Sequence, residues 1–128
     1  MRYIVLSLFL GFCGFLFARN DLGKHRLIVS TDLGGAEPDD MQSLIHRLVC
    51  AVRMDIEGII SSNAWVDDPD RTSDITEVID CYADAYPFLK KHANDFPSPD
   101  YLKSIVKRGQ EKSNMSGVGV RKDSPGSE

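Results

Sequence analysis

The order of apolar and polar positions along the chain predicts alternating strands and helices. Residues 26–31, RLIVST, form a short apolar run bounded by turn-forming residues, which is typical of a buried parallel strand. Residues 55–62, DIEGIISS, predict a second strand. Between them, from about residue 38 to 53, the spacing of apolar residues predicts an amphipathic helix (Met41, Leu44, Ile45, Leu48, Val49 and Val52). This order predicts a right-handed strand, helix, strand unit with parallel strands.

Two more helices are predicted downstream. The first ends near Pro87, has DDPD at residues 67–70 as its cap, and carries one apolar face (Ile75, Val78, Ile79 and Tyr82). PFLKKHAN, residues 87–94, predicts another helical turn or two. The second has Ser98 as its N-cap, Pro99 at its first position and a stop at Gly109, with its own apolar face (Leu102, Ile105 and Val106). From residue 110 onward the chain is polar and rich in Gly and Ser, which predicts a loop or tail.

The predicted sheet is too small to be complete. Parallel sheets occur almost only where both faces are covered, and two strands with these helices cannot provide that cover. We therefore expect the N-terminal part of a larger α/β domain, with a three-layer, Rossmann-like parallel sheet and flanking helices.

The first 18 residues, MRYIVLSLFLGFCGFLFA, predict a secretory signal peptide. One early cation, Arg2, precedes an almost uncharged apolar run, and Ala18 permits cleavage before the polar RNDLGKHR. Two alternatives stay open: a membrane anchor, because the run is close to the ~18 residues that span a bilayer, and lipoprotein processing at Cys13. We expect a short linker at residues 19–25 and the domain at 26–128.

Composition and net charge limit the class of partner, and the predicted leader indicates the location. The 128 residues are 42% hydrophobic and 27% charged, with a formal net charge of −4, which is typical of a soluble globular protein. A negative chain is a poor nucleic-acid binder, because such proteins carry clustered Lys and Arg. We expect a secreted or periplasmic protein with no nucleic-acid partner and no stable membrane insertion once the leader is removed.

Two cysteines, Cys50 and Cys81, remain after the leader is removed. They could pair in an exported protein, but both fall on apolar faces of predicted helices, where a lone cysteine packs as a small hydrophobe. Both alternatives stay open.

The segment STDLGGAEPDD, residues 30–40, crowds carboxylates where the first strand ends. In open parallel sheets ligands bind beyond the carboxyl ends of the strands. Helix capping accounts for Asp39 or Asp40 but not for Asp32 at the strand tip. Crowded carboxylates with no nearby His or Cys favour a hard cation, Ca²⁺ or Mg²⁺, and a flexible loop favours Ca²⁺. The alternative is a solvated acidic loop.

The segments RLIVSTDLGGAEPDDMQSLIHRLVCAVRMDIEGIISS and EVIDCYADAYPFLKKHANDFPSPDYLKSIVKRG resemble the nucleoside hydrolase-like domain of exported proteins often described as cellulose-binding. That domain is related to the inosine-uridine-preferring nucleoside hydrolases. The resemblance implies that Asp32 is a calcium ligand and takes a proton from the attacking water, and that Asp40 is a bidentate calcium ligand. It implies sugar contacts for Asp39 and Asn63.

The chain also departs from the hydrolase pattern. Ser30 stands in place of the first aspartate, Leu33 in place of the proline, and the loop is three residues longer. Trp65, close to Asn63, could stack on a base or sugar ring or could instead cover the sheet edge. The ligand expected from the resemblance is a small nucleoside or glycoside, or a polysaccharide.

Two functions follow from this resemblance. The first is Ca²⁺-dependent hydrolysis of an N-glycosidic or other glycosidic bond, with Asp32 as the catalytic residue. The second is a carbohydrate-binding domain that keeps the calcium loop without turnover, which Ser30 and the longer loop favour.

Overall fold

The chain folds as a parallel sheet with flanking helices. The computed structural model describes residues 23–33, 38–62, 70–110, 117 and 119–128. Its elements are β1 (His25–Thr31), α1 (Asp39–Val49), a 3₁₀ turn (Ala51–Arg53), β2 (Met54–Ser61), α2 (Thr72–His92), α3 (Pro99–Ser104) and β3 (Val106–Arg108). Within these ranges the strands form one sheet in the order β1-β2-β3, and both neighbouring pairs are parallel. The predicted α/β class and the first two strands are confirmed.

The helix after β1 is confirmed, with a shorter span than its apolar pattern predicts. α1 ends at Val49, and Ala51–Arg53 form a separate 3₁₀ turn that leads directly into β2. Leu44 and Leu48 are its buried residues.

The second long helix does not end near Pro87 as predicted, and the helical turns predicted for PFLKKHAN, residues 87–94, are its continuation. α2 continues through Pro87 to His92, a total of 21 residues. Proline has no N–H, so the helix lacks the backbone hydrogen bond that would reach the carbonyl of Ala83, four residues earlier. Residues on both sides of Pro87, including Tyr82, Tyr86 and Leu89, pack in or against the core, so tertiary packing sustains the helix across the proline.

The predicted helical face at Leu102, Ile105 and Val106 is also wrong in its second half. α3 starts as predicted, since the Ser98 hydroxyl accepts a hydrogen bond from the Tyr101 N–H at 3.2 Å and Pro99 occupies the first turn. It ends at Ser104, and Val106–Arg108 form the third strand. The pairing of this strand with β2 explains the difference, because a strand of three residues is too short to show an alternating pattern in the sequence.

The core lies between the sheet and helices on one of its faces. Its buried apolar members come from all three helices, the sheet and the loops beside them (Leu33, Leu44, Leu48, Ala51, Ile56, Ile59, Ile75, Val78, Ile79, Tyr82, Phe96 and Leu102). On the opposite face Ile28 is 62% exposed. None of the helices in the described ranges is long and apolar enough to cross a membrane.

A β-bulge sets which side chains of β2 reach the core. Leu27 pairs with Ile56, but Ile28 pairs with Gly58, so Glu57 is an extra residue on β2. Beyond the bulge, Val29 pairs with Ile59. Ile56 and Ile59 are therefore both buried although they are three positions apart.

The expectation that both remaining cysteines lie on apolar faces is wrong. Cys50 and Cys81 are exposed, and neither forms a disulfide. Cys50 lies just past the end of α1, where the helical periodicity has stopped, and Cys81 lies beside the buried stripe of α2. The predicted signal peptide at residues 1–18 lies outside the described residues.

Candidate functional site

The three strands end together at one edge of the sheet, which we call the carboxyl edge. In the register, Thr31 pairs with Ser61 and Ser61 with Arg108. The Ser62 N–H donates to the Thr31 carbonyl at 2.8 Å, and the Gly109 N–H donates to the Ser61 carbonyl at 2.8 Å. These bonds extend the strand pairing by one residue and fix the loops that leave the edge.

Three carboxylates lie where β1 ends and α1 begins, and we call Asp32, Asp39 and Asp40 the acidic edge. Asp32 directly follows β1 and is half-buried. Asp39 and Asp40 form the first turn of α1, where carboxylates interact favourably with the helix dipole. Asp39 is exposed and Asp40 is half-buried. Asp32 and Asp40, the two predicted cation ligands, are thus the two carboxylates of the three that are partly buried.

The described residues contain no group of three His, Cys, Asp or Glu side chains arranged to hold a metal ion. The donor chemistry still fits Ca²⁺, which takes six to eight oxygen ligands, including backbone carbonyls and water. Asp32 and Asp40 would supply two carboxylates of such a set.

Two of the predicted substrate-binding residues, Asn63 and Trp65, lie outside the described residues. Ser30, which stands in place of an aspartate in the hydrolase pattern, is described and exposed. It pairs with Ile60 on the sheet face that the helices of the described ranges leave uncovered.

One polar group at the carboxyl edge was not singled out by the sequence. Thr31 is only 8% exposed, and its hydroxyl has no hydrogen-bond partner among the described atoms. Its register partner Ser61 is 3% exposed. A threonine at the end of a β-branched apolar run resembles any strand residue, so no sequence pattern distinguishes it.

The C-terminal SPGSE segment also contributes to this edge. The Gly126 N–H donates to the Arg108 carbonyl at 2.9 Å, and the Ser127 N–H donates to the Ser124 carbonyl at 2.9 Å, closing a turn. A Cβ on Gly126 would lie 2.8 Å from Cγ2 of Ile60, so a side chain there would require the turn to move. The turn therefore packs beside the end of β3, at the carboxyl edge.

Asp70, the described residue of the predicted cap, lies one position before the N-cap residue of α2, Arg71, whose side chain makes no capping hydrogen bond. An Asp70 carboxylate oxygen accepts a hydrogen bond from the Thr72 N–H at 2.9 Å. One turn further on, Arg71 and Asp74 form an ion pair at 3.4 Å. Asp70 therefore has a structural role that needs no ligand.

Comparison with known proteins gives two matches. A family model described as "Cellulose-binding Sde182, nucleoside hydrolase-like domain" matches residues 26–128. A solved structure of a nucleoside hydrolase-related hypothetical protein from Saccharophagus degradans, described as associated with carbohydrate metabolism, is 43% identical with a TM-score of 0.69. The match covers 80% of this chain and 25% of that one, so the chain spans about a quarter of its relative. Comparison with curated proteins gave no match.

Proposed function

The chain belongs to the family of nucleoside hydrolase-like domains of cellulose-binding Sde182, and from this membership we propose that it binds a carbohydrate at the acidic edge and hydrolyses a glycosidic bond with the help of Ca²⁺. The single observation that carries the proposal is the half-buried Asp32 at the tip of β1. That position is where ligands bind in open parallel sheets. The family's cellulose-binding description further supports a carbohydrate ligand and a location outside the cytoplasm.

The proposed chemistry divides roles among the carboxylates. Asp32 and Asp40 would hold the cation, and Asp39, which is exposed, would accept hydrogen bonds from sugar hydroxyls. When bound, Ca²⁺ acidifies a water and fixes sugar oxygens. Asp32 would take the proton from the attacking water at its carboxylate, and the sugar would react through an oxocarbenium-like transition state. Holding the sugar and the water together lowers the entropic part of the barrier.

A second candidate is a binding domain without turnover, and Ser30 favours it. In the hydrolase pattern an aspartate precedes the catalytic one by two positions, and here that place is taken by an exposed serine. Loss of one carboxylate lowers the negative charge available to a cation and changes how a ribose would be held. Carbohydrate binding would survive such a change more easily than catalysis.

Sugar release separates the two candidates. The full-length protein, incubated with Ca²⁺ and a panel of nucleosides and glycosides, should release reducing sugar, and Asp32→Asn should abolish the release. Retention on cellulose without sugar release from any substrate would support the binding domain. If the protein neither releases sugar nor is retained on a polysaccharide, both candidates fail.

Calcium titration tests the acidic edge separately from turnover. Asp32→Asn and Asp40→Asn should each weaken Ca²⁺ binding by far more than the loss of a surface charge does. The matched control is Asp100→Asn, because Asp100 is also a first-turn aspartate, at the start of α3 and away from the carboxyl edge. If Asp32→Asn and Asp40→Asn bind Ca²⁺ as tightly as the parent, the acidic edge is a solvated loop with a helix behind it.

A further inference from the structure

The SPGS turn, residues 124–127, is closed by hydrogen bonds and attached to the sheet. The Ser127 N–H donates to the Ser124 carbonyl at 2.9 Å. The Ser127 hydroxyl accepts from the Ser124 N–H and donates to the Ser124 carbonyl, both at 2.8 Å. The Gly126 N–H donates to the carbonyl of Arg108, the last residue of β3, at 2.9 Å. The turn is therefore preformed at the carboxyl edge.

Glycine at position 126 permits close packing rather than an unusual backbone angle. Gly126 does not have a positive φ, so an alanine could adopt its backbone conformation. A Cβ there would, however, lie 2.8 Å from Cγ2 of Ile60 and 3.2 Å from the Arg108 carbonyl oxygen. Ile60 pairs with Ser30 on the sheet face that the helices of the described ranges leave uncovered, which we call the open face. The SPGS turn thus leans over the carboxyl end of the open face.

Asp32 points to the open face from the other side of the sheet. Its neighbours Thr31 and Leu33 are both buried on the core face, and side chains alternate along a strand, so Asp32 faces the opposite way, as Ser30 does. Neighbouring strands are about 4.8 Å apart, so β1 and β3 are separated by about 10 Å. Ile60 lies on the strand between them. This separation is enough for one sugar ring.

The two borders of this gap match the two kinds of surface that a sugar ring presents, hydroxyls at its rim and C–H groups on its faces. Asp32 offers carboxylate oxygens that accept hydrogen bonds, and Pro125, exposed in the SPGS turn, offers an apolar ring. We propose that the SPGS turn is the second wall of the carbohydrate site: one sugar ring lies over Ile60, with hydroxyls toward Asp32 and C–H groups toward Pro125. This inference rests on the proposed function, because its ligand is the carbohydrate proposed there. It requires no contact between the turn and a cation.

The test is Pro125→Ala, which removes two ring methylenes and keeps the rest of the turn. The full-length protein is titrated calorimetrically with cellohexaose, a soluble fragment of cellulose, with Ca²⁺ present. The affinity should fall about tenfold, because two methylenes no longer pack on the sugar. Gly126→Ala displaces the whole turn from Ile60 and should weaken binding as well. If either variant binds cellohexaose as tightly as the parent, the inference is refuted.

Two controls separate binding from stability. Pro99→Ala makes the same change at the start of α3, away from the carboxyl edge, and should leave the cellohexaose affinity unchanged. Urea midpoints of all variants report any loss of stability. A turn that only covers the end of β3 would lower the midpoint of Gly126→Ala and leave the affinity unchanged.

The outcomes distinguish this inference from the proposed function. If Asp32→Asn weakens cellohexaose binding while Pro125→Ala does not, only the role of the turn is refuted. Should Pro125→Ala and Gly126→Ala both be unfolded, the turn is structural and the inference is likewise refuted. If the parent releases sugar from a nucleoside or glycoside but does not bind cellohexaose, the second wall fails and the proposed hydrolysis stands. If the parent releases no sugar and binds neither cellohexaose nor cellulose, both fail together.

Discussion

Replacing Gly109 with alanine should loosen the carboxyl edge. A Cβ at this position would lie 2.7 Å from the Ser61 carbonyl oxygen and 3.0 Å from Cγ2 of Ile60. The first contact is with backbone that belongs to β2, so it cannot be relieved by a rotamer change. Overpacking of this kind costs about 1–3 kcal/mol. Alanine also restricts the unfolded chain more than glycine does, which offsets about 0.4–1 kcal/mol of that cost. With the middle of each range, the net expectation is a loss of about 1.3 kcal/mol in the free energy of unfolding.

Gly58→Ala is the matched control, because it makes the same change inside the same sheet. Its Cβ would meet the Ile28 side chain at 3.5 Å, an ordinary contact. We expect it to stabilise the protein by about 0.4–1 kcal/mol. Urea unfolding of the full-length proteins, followed by circular dichroism, gives both values. The reasoning is refuted if Gly109→Ala is as stable as the parent, or if Gly58→Ala loses as much as Gly109→Ala.

Three further predictions concern the scaffold. Ser98→Ala removes the acceptor of the Tyr101 N–H, so it should lower the free energy of unfolding in urea by about 1 kcal/mol. Ser98→Asp keeps an acceptor and should keep the parental stability. Burial raises the pKa of Tyr82 from its ordinary 10.0 to about 12, so stability that is present below pH 10 should be lost as the pH rises toward 12. Urea unfolding across this pH range measures the loss, and Tyr82→Phe should not show it. The Arg26 hydrogen bond lowers the pKa of Glu57, yet the pair is exposed, so Glu57→Gln should unfold like the parent in high salt.

Sequence patterns predicted the elements that carry a local signal over several residues. The buried stripe of α1 repeats a helical spacing, and β1 is a short apolar run bounded by turn-forming residues. The start of α3 was predictable for a different reason, since Ser98 and Pro99 encode a local hydrogen bond and a fixed backbone angle.

The errors arise where distant contacts override local signals. Pro87 ends an isolated helix, yet α2 passes through it because residues on both sides pack in or against the core. Ile105 and Val106 continue a helical spacing, but pairing with β2 makes residues 106–108 a strand. Cys81 lies close to an apolar stripe in the sequence pattern, and only the packing of α2 shows that it is exposed.

The candidate site was predictable in its position but not in its full membership. A run of carboxylates after a buried strand indicates the carboxyl edge, and Asp32, Asp39 and Asp40 do lie there. Thr31 could not be identified in advance, because an unsatisfied hydroxyl is recognised only from the atoms around it. The roles of Asn63 and Trp65 stay predictions.

The bulge at Glu57 changes which side chains of β2 point to which face of the sheet. In a regular strand without a bulge, Ile56 and Ile59 would point to opposite faces because they are three positions apart, and the bulge brings both to the core face. A deletion of Glu57 would therefore leave a regular strand in the same register with β1, because Leu27–Ile56, Ile28–Gly58 and Val29–Ile59 would follow one another without an unpaired residue. Relatives aligned across this strand should tolerate a gap at position 57 more readily than a gap at Ile56 or Ile59.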